Sequence, residues 1–345
     1  MTRPAAVEVP ETGDMTWIRV TEPSTCAAVR RRAADTARGV GLSENRVDEI
    51  SVVSAELASN LVKHAREGSV LLRVLRHADR VGIGVLTVDT GPGTRDITSL
   101  IADGETTTGT LGIGLGAVKR FADRLDLHSV PGVGTIVSAE FWSAPLSAVP
   151  SGFAALTRPL EGESVCGDAF AERSAEGARI VMLADGLGHG PLAARASGAA
   201  VRSFLTSQET SPRLLIEALH RSLRETRGAA VAVARVEADS GRVIYAGVGN
   251  ISGRIVDTGS SSQLPSQPGI VGSNVPAVRE LPARMERGQS LVMHSDGLTE
   301  RWTLDDLPGI LAADPVVMSA ALLRAAGVRR DDASVLVARR EDAGR

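Results

Sequence analysis

Residues 143–152 (SAPLSAVPSG) are small or proline-containing and carry no hydrophobic periodicity, so they read as a linker between two separately folding parts. At about 100–200 residues per ordinary domain, the 345 residues fit that division. The expected organisation is a disordered, polar start over 1–12, a first domain over 13–142 and a second over 153–345. With 43% hydrophobic and 23% charged residues the chain has the balance of a folded protein rather than a disordered one. Lys+Arg 38 against Asp+Glu 41 gives a net charge of -3, which sets aside a basic nucleic-acid binder or an anionic-membrane binder. Cys26 and Cys166 form no CxxC motif, so neither a disulfide framework nor a cysteine zinc site is supported. The start has no signal-type apolar core and no stretch of membrane-spanning type follows, so a cytoplasmic location is expected.

In the first part Val47, Ile50, Val53, Leu57 and Leu61 recur every three or four positions, which predicts an amphipathic helix over 46–66. Runs over 69–76 and 80–88 predict a strand pair, 117–124 a helix, and 125–130 and 135–141 two more strands joined by the turn PGVG. Three segments here carry chemistry. Glu56 and Asn60 are four apart and share a helix face. A carboxylate there can orient or deprotonate a nucleophile while the amide oxygen coordinates Mg²⁺; a solvated polar face would carry the same pair. Asp89-Thr90-Gly91-Pro92-Gly93 follows directly on a strand, where an Asp can accept an adenine amino hydrogen; a plain turn would also look so. Gly109–Ala117 (GTLGIGLGA) leads into a helix, and successive glycines there turn backbone N–H groups toward phosphate. It lacks the preceding strand and the later acid of a dinucleotide fingerprint, and no Walker lysine is present.

Taken in order, these segments resemble the boxes of the GHKL ATPase/kinase superfamily over roughly 30–142, and in particular the RsbT-type serine/threonine switch kinases. The resemblance implies Glu56 as general base, Asn60 as ligand of Mg²⁺, and Asp89 as reader of the adenine of ATP. It further implies Gly91 and Gly93 shaping the base pocket, Gly112, Gly114 and Gly116 forming the phosphate loop, and Thr135 assisting at the adenine. Residues 1–63 contain no histidine and are too few for a phosphoacceptor bundle, so phosphate transfer in trans to a hydroxyl is expected rather than histidine autophosphorylation.

The second part predicts strands over 178–184, 229–236, 242–246, 290–294 and 334–338, helices over 192–205 and 212–224, and a long mobile loop over 257–274. Asp168 follows glycine, Asp185 and Asp296 follow apolar runs and precede glycine, and Asp331-Asp332 precedes a strand. Carboxylates gathered at strand ends repel one another, and hard divalent cations with oxygen ligands are the natural compensation. Two such cations can activate water and polarise a phosphoryl oxygen for in-line attack. Any one Asp-Gly is as well explained by a turn. The ordered set SVCGDAF, LADGLGHG, VGNISG, HSDGLTE and RRDDASVLV resembles the PPM (SpoIIE-like) metal-dependent phosphatases, close to the small RsbX-type enzymes. That resemblance implies that Asp168, Asp185, Asp296 and Asp331, with the Gly186 carbonyl, hold two Mg²⁺ or Mn²⁺. His189 is either a general acid there or a loop histidine without a chemical task. His294 is expected to be packed behind Asp296, and Cys166 to be inert.

The resulting expectation is a two-domain α/β (α+β) chain, a GHKL α/β sandwich followed by a PPM-type αββα sandwich. Its activities would be opposed: serine/threonine phosphorylation and dephosphorylation of STAS-domain antagonist or scaffold proteins in a bacterial partner-switching or stressosome pathway. A downstream phosphatase or a sigma-factor regulator is a further partner of that reading; nucleic acid and membrane are not. The alternative is a nucleotide-gated partner-binding module, without significant kinase activity, fused to an active phosphatase. Glu56 favours the kinase, because a bare binder needs the glycines but not the base.

Overall fold

The computed structural model describes residues 14–77, 79–96, 114–145, 152–328 and 330–340. The chain is mixed α/β and divides into two compact units, Gly13–Val149 and Pro150–Arg345.

The first unit is one antiparallel sheet with helices packed on it. Its strands are β1 (Met15–Val20), β2 (Gly68–His77), β3 (Arg80–Asp89), β4 (Arg124–Val130) and β5 (Gly134–Trp142), in spatial order β1-β2-β3-β5-β4. The helices are α1 (Pro23–Gly39), α2 (Glu44–His64) and α3 (Gly114–Phe121). α2 begins where the Ser43 side chain accepts a hydrogen bond from Arg46 N, with Glu44 in its first turn and Lys63 and His64 in its last, the arrangement a helix dipole favours. Val47, Ile50, Val53, Leu57 and Leu61 are all buried, so the sequence periodicity marks the face that meets the sheet. Across from them α1 buries Val29, Ala33 and Ala37, and two alanines let the helices pack closely. β3 and β5 bring Val85, Val137, Ala139 and Phe141 into the same core.

The second unit is two five-stranded antiparallel sheets with helices outside each. The first sheet has the order β13-β10-β9-β8-β7, from β7 (Asp168–Ala175), β8 (Ala178–Gly186), β9 (Ala229–Glu237), β10 (Arg242–Val248) and β13 (Leu281–Arg284). The second has the order β12-β11-β14-β15-β6, from β6 (Phe153–Arg158), β11 (Ser252–Asp257), β12 (Ser260–Leu264), β14 (Ser290–His294) and β15 (Ala333–Arg339). α4 (Pro191–Thr206) and α5 (Pro212–Ser222) cover the first sheet, and α6 (Pro315–Ala326) covers β6 and β15. Ile180, Met182 and Ala184 face α4 and α5 with Phe204, Leu215 and Leu219. By the two-residue alternation of a strand, Val181, Leu183 and Asp185 therefore face the other sheet.

The stretch over 257–274 departs from the expected loop. Residues Ser260–Leu264 pair with β11 in a hairpin around Gly259, and Val271 exchanges two backbone hydrogen bonds with Ala229, at 2.9 and 3.0 Å. The serines of β12 are exposed on a sheet edge, and polar edge strands of this kind carry no alternating signal to read. Among the described residues no helix is long and apolar enough to cross a membrane. The expected disordered start over 1–12 lies outside the described residues.

Candidate functional site

In the first unit the strand pairing sets the candidate nucleotide residues. Asp89 ends β3 opposite Thr135 of β5, and its Oδ1 accepts hydrogen bonds from Gly91 N at 2.6 Å and Thr135 N at 3.1 Å. The Thr135 hydroxyl meets the Ser129 hydroxyl at 2.9 Å, and Ser129 Oγ also accepts from Thr94 N at 2.8 Å. These contacts fix the carboxylate, the threonine and the chain after β3 as one body. Gly93 has φ +60, and a Cβ there would lie 2.1 Å from Val130 O, so only glycine lets the segment cross the end of β4. Glu56 and Asn60 lie one turn apart on α2, half-buried, with no hydrogen-bond or ion-pair partner among the described residues. Gly114 opens α3 and Gly116 lies in its first turn. Gly112 lies outside the described residues.

In the second unit Asp168 and Asp185 occupy directly opposed positions on β7 and β8. Asp168 is 4% exposed. Its Oδ2 accepts from Ser295 Oγ at 2.7 Å, whereas Oδ1 is buried and accepts no hydrogen bond among the described residues. Burial pushes the Asp168 carboxyl above its ordinary range, with the Ser295 hydroxyl pulling back. Burial pushes Asp185 up as well, and the negative charges of Asp168, Asp296 and Asp331 add to it. Asp296 is raised by burial and then by Asp331. The four acids thus meet electrostatically between the ends of the two sheets.

Close backbone approaches make that gathering possible. A Cβ on Gly297 would lie 2.0 Å from Asp332 O, and one on Gly186 would lie 2.1 Å from Ala193 O. A side chain at Gly297 would push the Asp296 segment from the Asp331-Asp332 segment, and one at Gly186 would push the end of β8 from α4. Gly186 N also donates to Gly167 O at 3.1 Å, tying the segment after Asp185 to the one before Asp168.

Residues of the Asp331-Asp332 pair divide their tasks. Asp332 is buried, and its oxygens accept from Leu160 N at 2.8 Å and Gly167 N at 2.9 Å, clamping the loop that enters β7. Asp331 is exposed and accepts only from Asp332 N among the described residues, at 2.9 Å, leaving oxygen lone pairs for a ligand. His189 is exposed, and its Nδ1 lies 2.8 Å from Glu163 Oε1. His294 is fully buried; Nδ1–H donates to Ser295 O at 2.9 Å and Nε2 accepts from Trp302 Nε1–H at 3.2 Å. Both ring nitrogens are spent, so it is a packing group two residues before Asp296. Burial pushes the Cys166 thiol up, keeping it protonated and unreactive.

Residues unassigned from sequence complete the site. Asn250 Nδ2 donates to Asp296 Oδ2 at 2.5 Å, and Ser295 connects Asp168 to β15 by accepting from Ser334 N at 3.0 Å. Glu163 is the partner of His189.

The donor set fits divalent cations: it is all oxygen, holds an orphaned buried carboxylate oxygen, and carries repulsion that a cation would offset. Among the described residues no three His, Cys, Asp or Glu side chains close up as a metal cage. Water would therefore fill the remaining coordination positions, which hard divalent ions accept.

The histidine kinase-like ATPase domain family matches residues 20–141, and the stage II sporulation protein E (SpoIIE) family matches residues 175–341. The serine/threonine-protein kinase RsbT of Bacillus subtilis (strain 168) is 31% identical over 129 residues, covering 37% of this chain and 97% of RsbT. The phosphoserine phosphatase RsbX of the same organism is 27% identical over 140 residues, covering 40% of this chain and 70% of RsbX. The chain is a fusion of a GHKL kinase-like domain and a SpoIIE-type PPM phosphatase domain. A solved structure from work on the bacterial stressosome, a modular system adapted to control secondary messenger signaling, is similar at 34% identity and a TM-score of 0.50. It matches 55% of this chain and 98% of its own. Asp185, Asp296 and Asp331 fall within the SpoIIE match, Asp168 lies just before it in the same compact unit, and Glu56, Asn60 and Asp89 fall within the ATPase match.

Proposed function

We propose that the chain sets the phosphorylation level of STAS-domain proteins in a partner-switching pathway. The kinase-like domain phosphorylates a serine or threonine hydroxyl, and the phosphatase domain removes the phosphoryl group. The observation that carries this reading is the opposed Asp168–Asp185 pair: Asp168 is buried with one oxygen unsatisfied among the described residues, and its charge raises the half-buried Asp185. Such a pair costs stability and is retained only where a cation or a proton has work to do there.

On this reading Asp168, Asp185, Asp296, Asp331 and the Gly186 carbonyl hold two Mg²⁺ or Mn²⁺, which supply Lewis-acid polarisation of the phosphoryl group and a water of lowered pKa. Asn250 and Ser295 orient the carboxylates by donating to one oxygen of each. With Nδ1 held by Glu163, His189 presents Nε2 outward, and a proton there passes to the departing serine oxygen. In the kinase-like domain Asp89, steadied by Gly91 N and Thr135 N, accepts from the adenine amino group of ATP. Gly91 and Gly93 hold the pocket wall, Gly112, Gly114 and Gly116 turn N–H groups to the phosphates, and Asn60 ligates Mg²⁺. Glu56 takes the proton of the attacking hydroxyl as the γ-phosphoryl group moves to its oxygen.

The test is incubation of the whole protein with STAS-domain proteins and γ-labelled ATP. Label should reach the partner with Asp185→Ala and fail to reach it with Glu56→Ala, while the pre-labelled partner loses phosphate to Glu56→Ala but not to Asp185→Ala. Absence of both transfers in the unsubstituted protein overturns the reading.

A further inference from the structure

Leu187 and Leu192 are 49% and 50% exposed, the two most exposed large hydrophobic side chains among the described residues. Both lie on the short segment that runs from the end of β8 into α4, directly after Asp185 and Gly186 and flanking His189. An isolated surface leucine needs no explanation, but two around one strand-end aspartate form a site-linked patch. A cation stands beside them. Arg227 Nη1 lies 3.2 Å from where a Cβ of residue 188 would be, and Leu187 N donates to Gly228 O at 3.0 Å, so the Arg227 turn and the leucine segment are held together. Gly188 O in turn lies 3.5 Å from the Cβ position of Gly167, the neighbour of Asp168. Arg227 is exposed, and among the described residues it has no ion pair or hydrogen-bonded acid. The patch is therefore continuous with the aspartate centre, apolar on the leucine side and positive on the arginine side.

We propose that Leu187, Leu192 and Arg227 form the surface on which the phosphorylated segment of a protein substrate is read. The leucines receive apolar side chains flanking the phosphoserine or phosphothreonine, and Arg227 receives anionic oxygens, from the phosphoryl group or from an acidic residue next to it. This rests on the phosphatase reading of the domain and adds to it a class of substrate sequence. The patch lies on the segment that directly follows Asp185, and its apolar-plus-cationic surface fits an apolar chain carrying negative charge.

The experiment uses the full chain with Mn²⁺ and four probes: an aryl phosphate, a phosphoserine peptide flanked by leucines, the same peptide flanked by serines, and the leucine peptide with a glutamate added. The wild type should prefer the leucine-flanked to the serine-flanked peptide, and Leu187→Ser with Leu192→Ser should cut that ratio of kcat/KM by ~10-fold or more. Because both peptides are compared in one protein, a smaller folded fraction cancels. Arg227→Ala should raise KM for every probe if the phosphoryl group is its ligand, and only for the glutamate peptide if the flanking acid is. A wild type that hydrolyses all probes without preference, or an unchanged ratio in the double variant, overturns this proposal alone. A change in oligomeric state with the ratio intact assigns the patch to a second copy, and a restored ratio on separating the kinase-like domain assigns it to that domain; either overturns it too. A wild type inert toward every probe removes the phosphatase reading as well.

Discussion

Asn250 gives its side-chain N–H to Asp296 Oδ2 at 2.5 Å, bridging the turn before β11 to the strand-end acid after β14. The contact leaves the other Asp296 oxygen to a ligand and fixes the carboxylate plane. Asn250→Ala should weaken Mn²⁺ binding by ~10–100-fold, the usual cost of losing such an orienting partner. Titration of the phosphatase activity with Mn²⁺ measures this; an unaltered midpoint would separate Asn250 from the metal site.

Asp185→Asn should remove phosphatase activity and yet make the cation-free protein more stable. The Asp185 carboxyl is raised by burial and by Asp168, Asp296 and Asp331, so the folded chain binds its proton more tightly than the unfolded chain does. That contribution to stability is whole below the ordinary carboxylate pKa and is lost as pH rises through the raised value. With a chelator at pH 8 the variant should therefore melt higher, by about 2–4 °C for each kcal/mol recovered. The gain should vanish at pH 4. Added Mn²⁺ should raise the wild-type melting temperature and leave that of the variant where it is.

Neighbouring acids should respond oppositely to amide substitution. Asp331→Asn should lose Mn²⁺-dependent activity with little change in melting. Asp332→Asn exchanges an acceptor of Leu160 N and Gly167 N for a group with one donor end, and should cost about 1–3 kcal/mol of stability. Thermal melts and Mn²⁺ titrations of the two variants form the comparison, and a reversal of the two phenotypes would move the metal role to Asp332.

In the kinase-like domain, binding and transfer should separate. Asp89→Ala strips Gly91 N and Thr135 N of their acceptor and removes the adenine contact, so ATP affinity should fall by ~10-fold or more. Glu56→Ala should leave ATP affinity within about twofold and abolish phosphoryl transfer, because the general base contributes ~10²–10⁴-fold to rate rather than to binding. Nucleotide binding by calorimetry beside labelled-ATP transfer reads both quantities.

Amphipathic and apolar periodicity carried most of this fold. The face of α2, the hairpin of β2 and β3, and the cores of β8, β9 and β14 are buried where hydrophobic spacing puts them, because burial is what that spacing encodes. β12 left no such trace, its serines being exposed on an edge. The four aspartates could be picked out because each lies at a strand end, three of them beside a glycine and Asp331 beside a second acid. Asn250, Ser295 and Glu163 were not, since each acquires its role from a partner 46, 127 or 26 positions away, and no spacing rule connects them. The division of labour between Asp331 and Asp332 becomes physical only when Leu160 N and Gly167 N arrive from the other end of the domain.

The hairpin that carries Asp168 and Asp185 closes at Glu176 and Gly177, both with positive φ, at the end remote from the acids. Lengthening or shortening either arm by one residue would turn one carboxylate to the helix side and strand the other. Natural variation in length should consequently be purged from that hairpin and collect at the Thr258–Gly259 tip, where no functional group depends on the count.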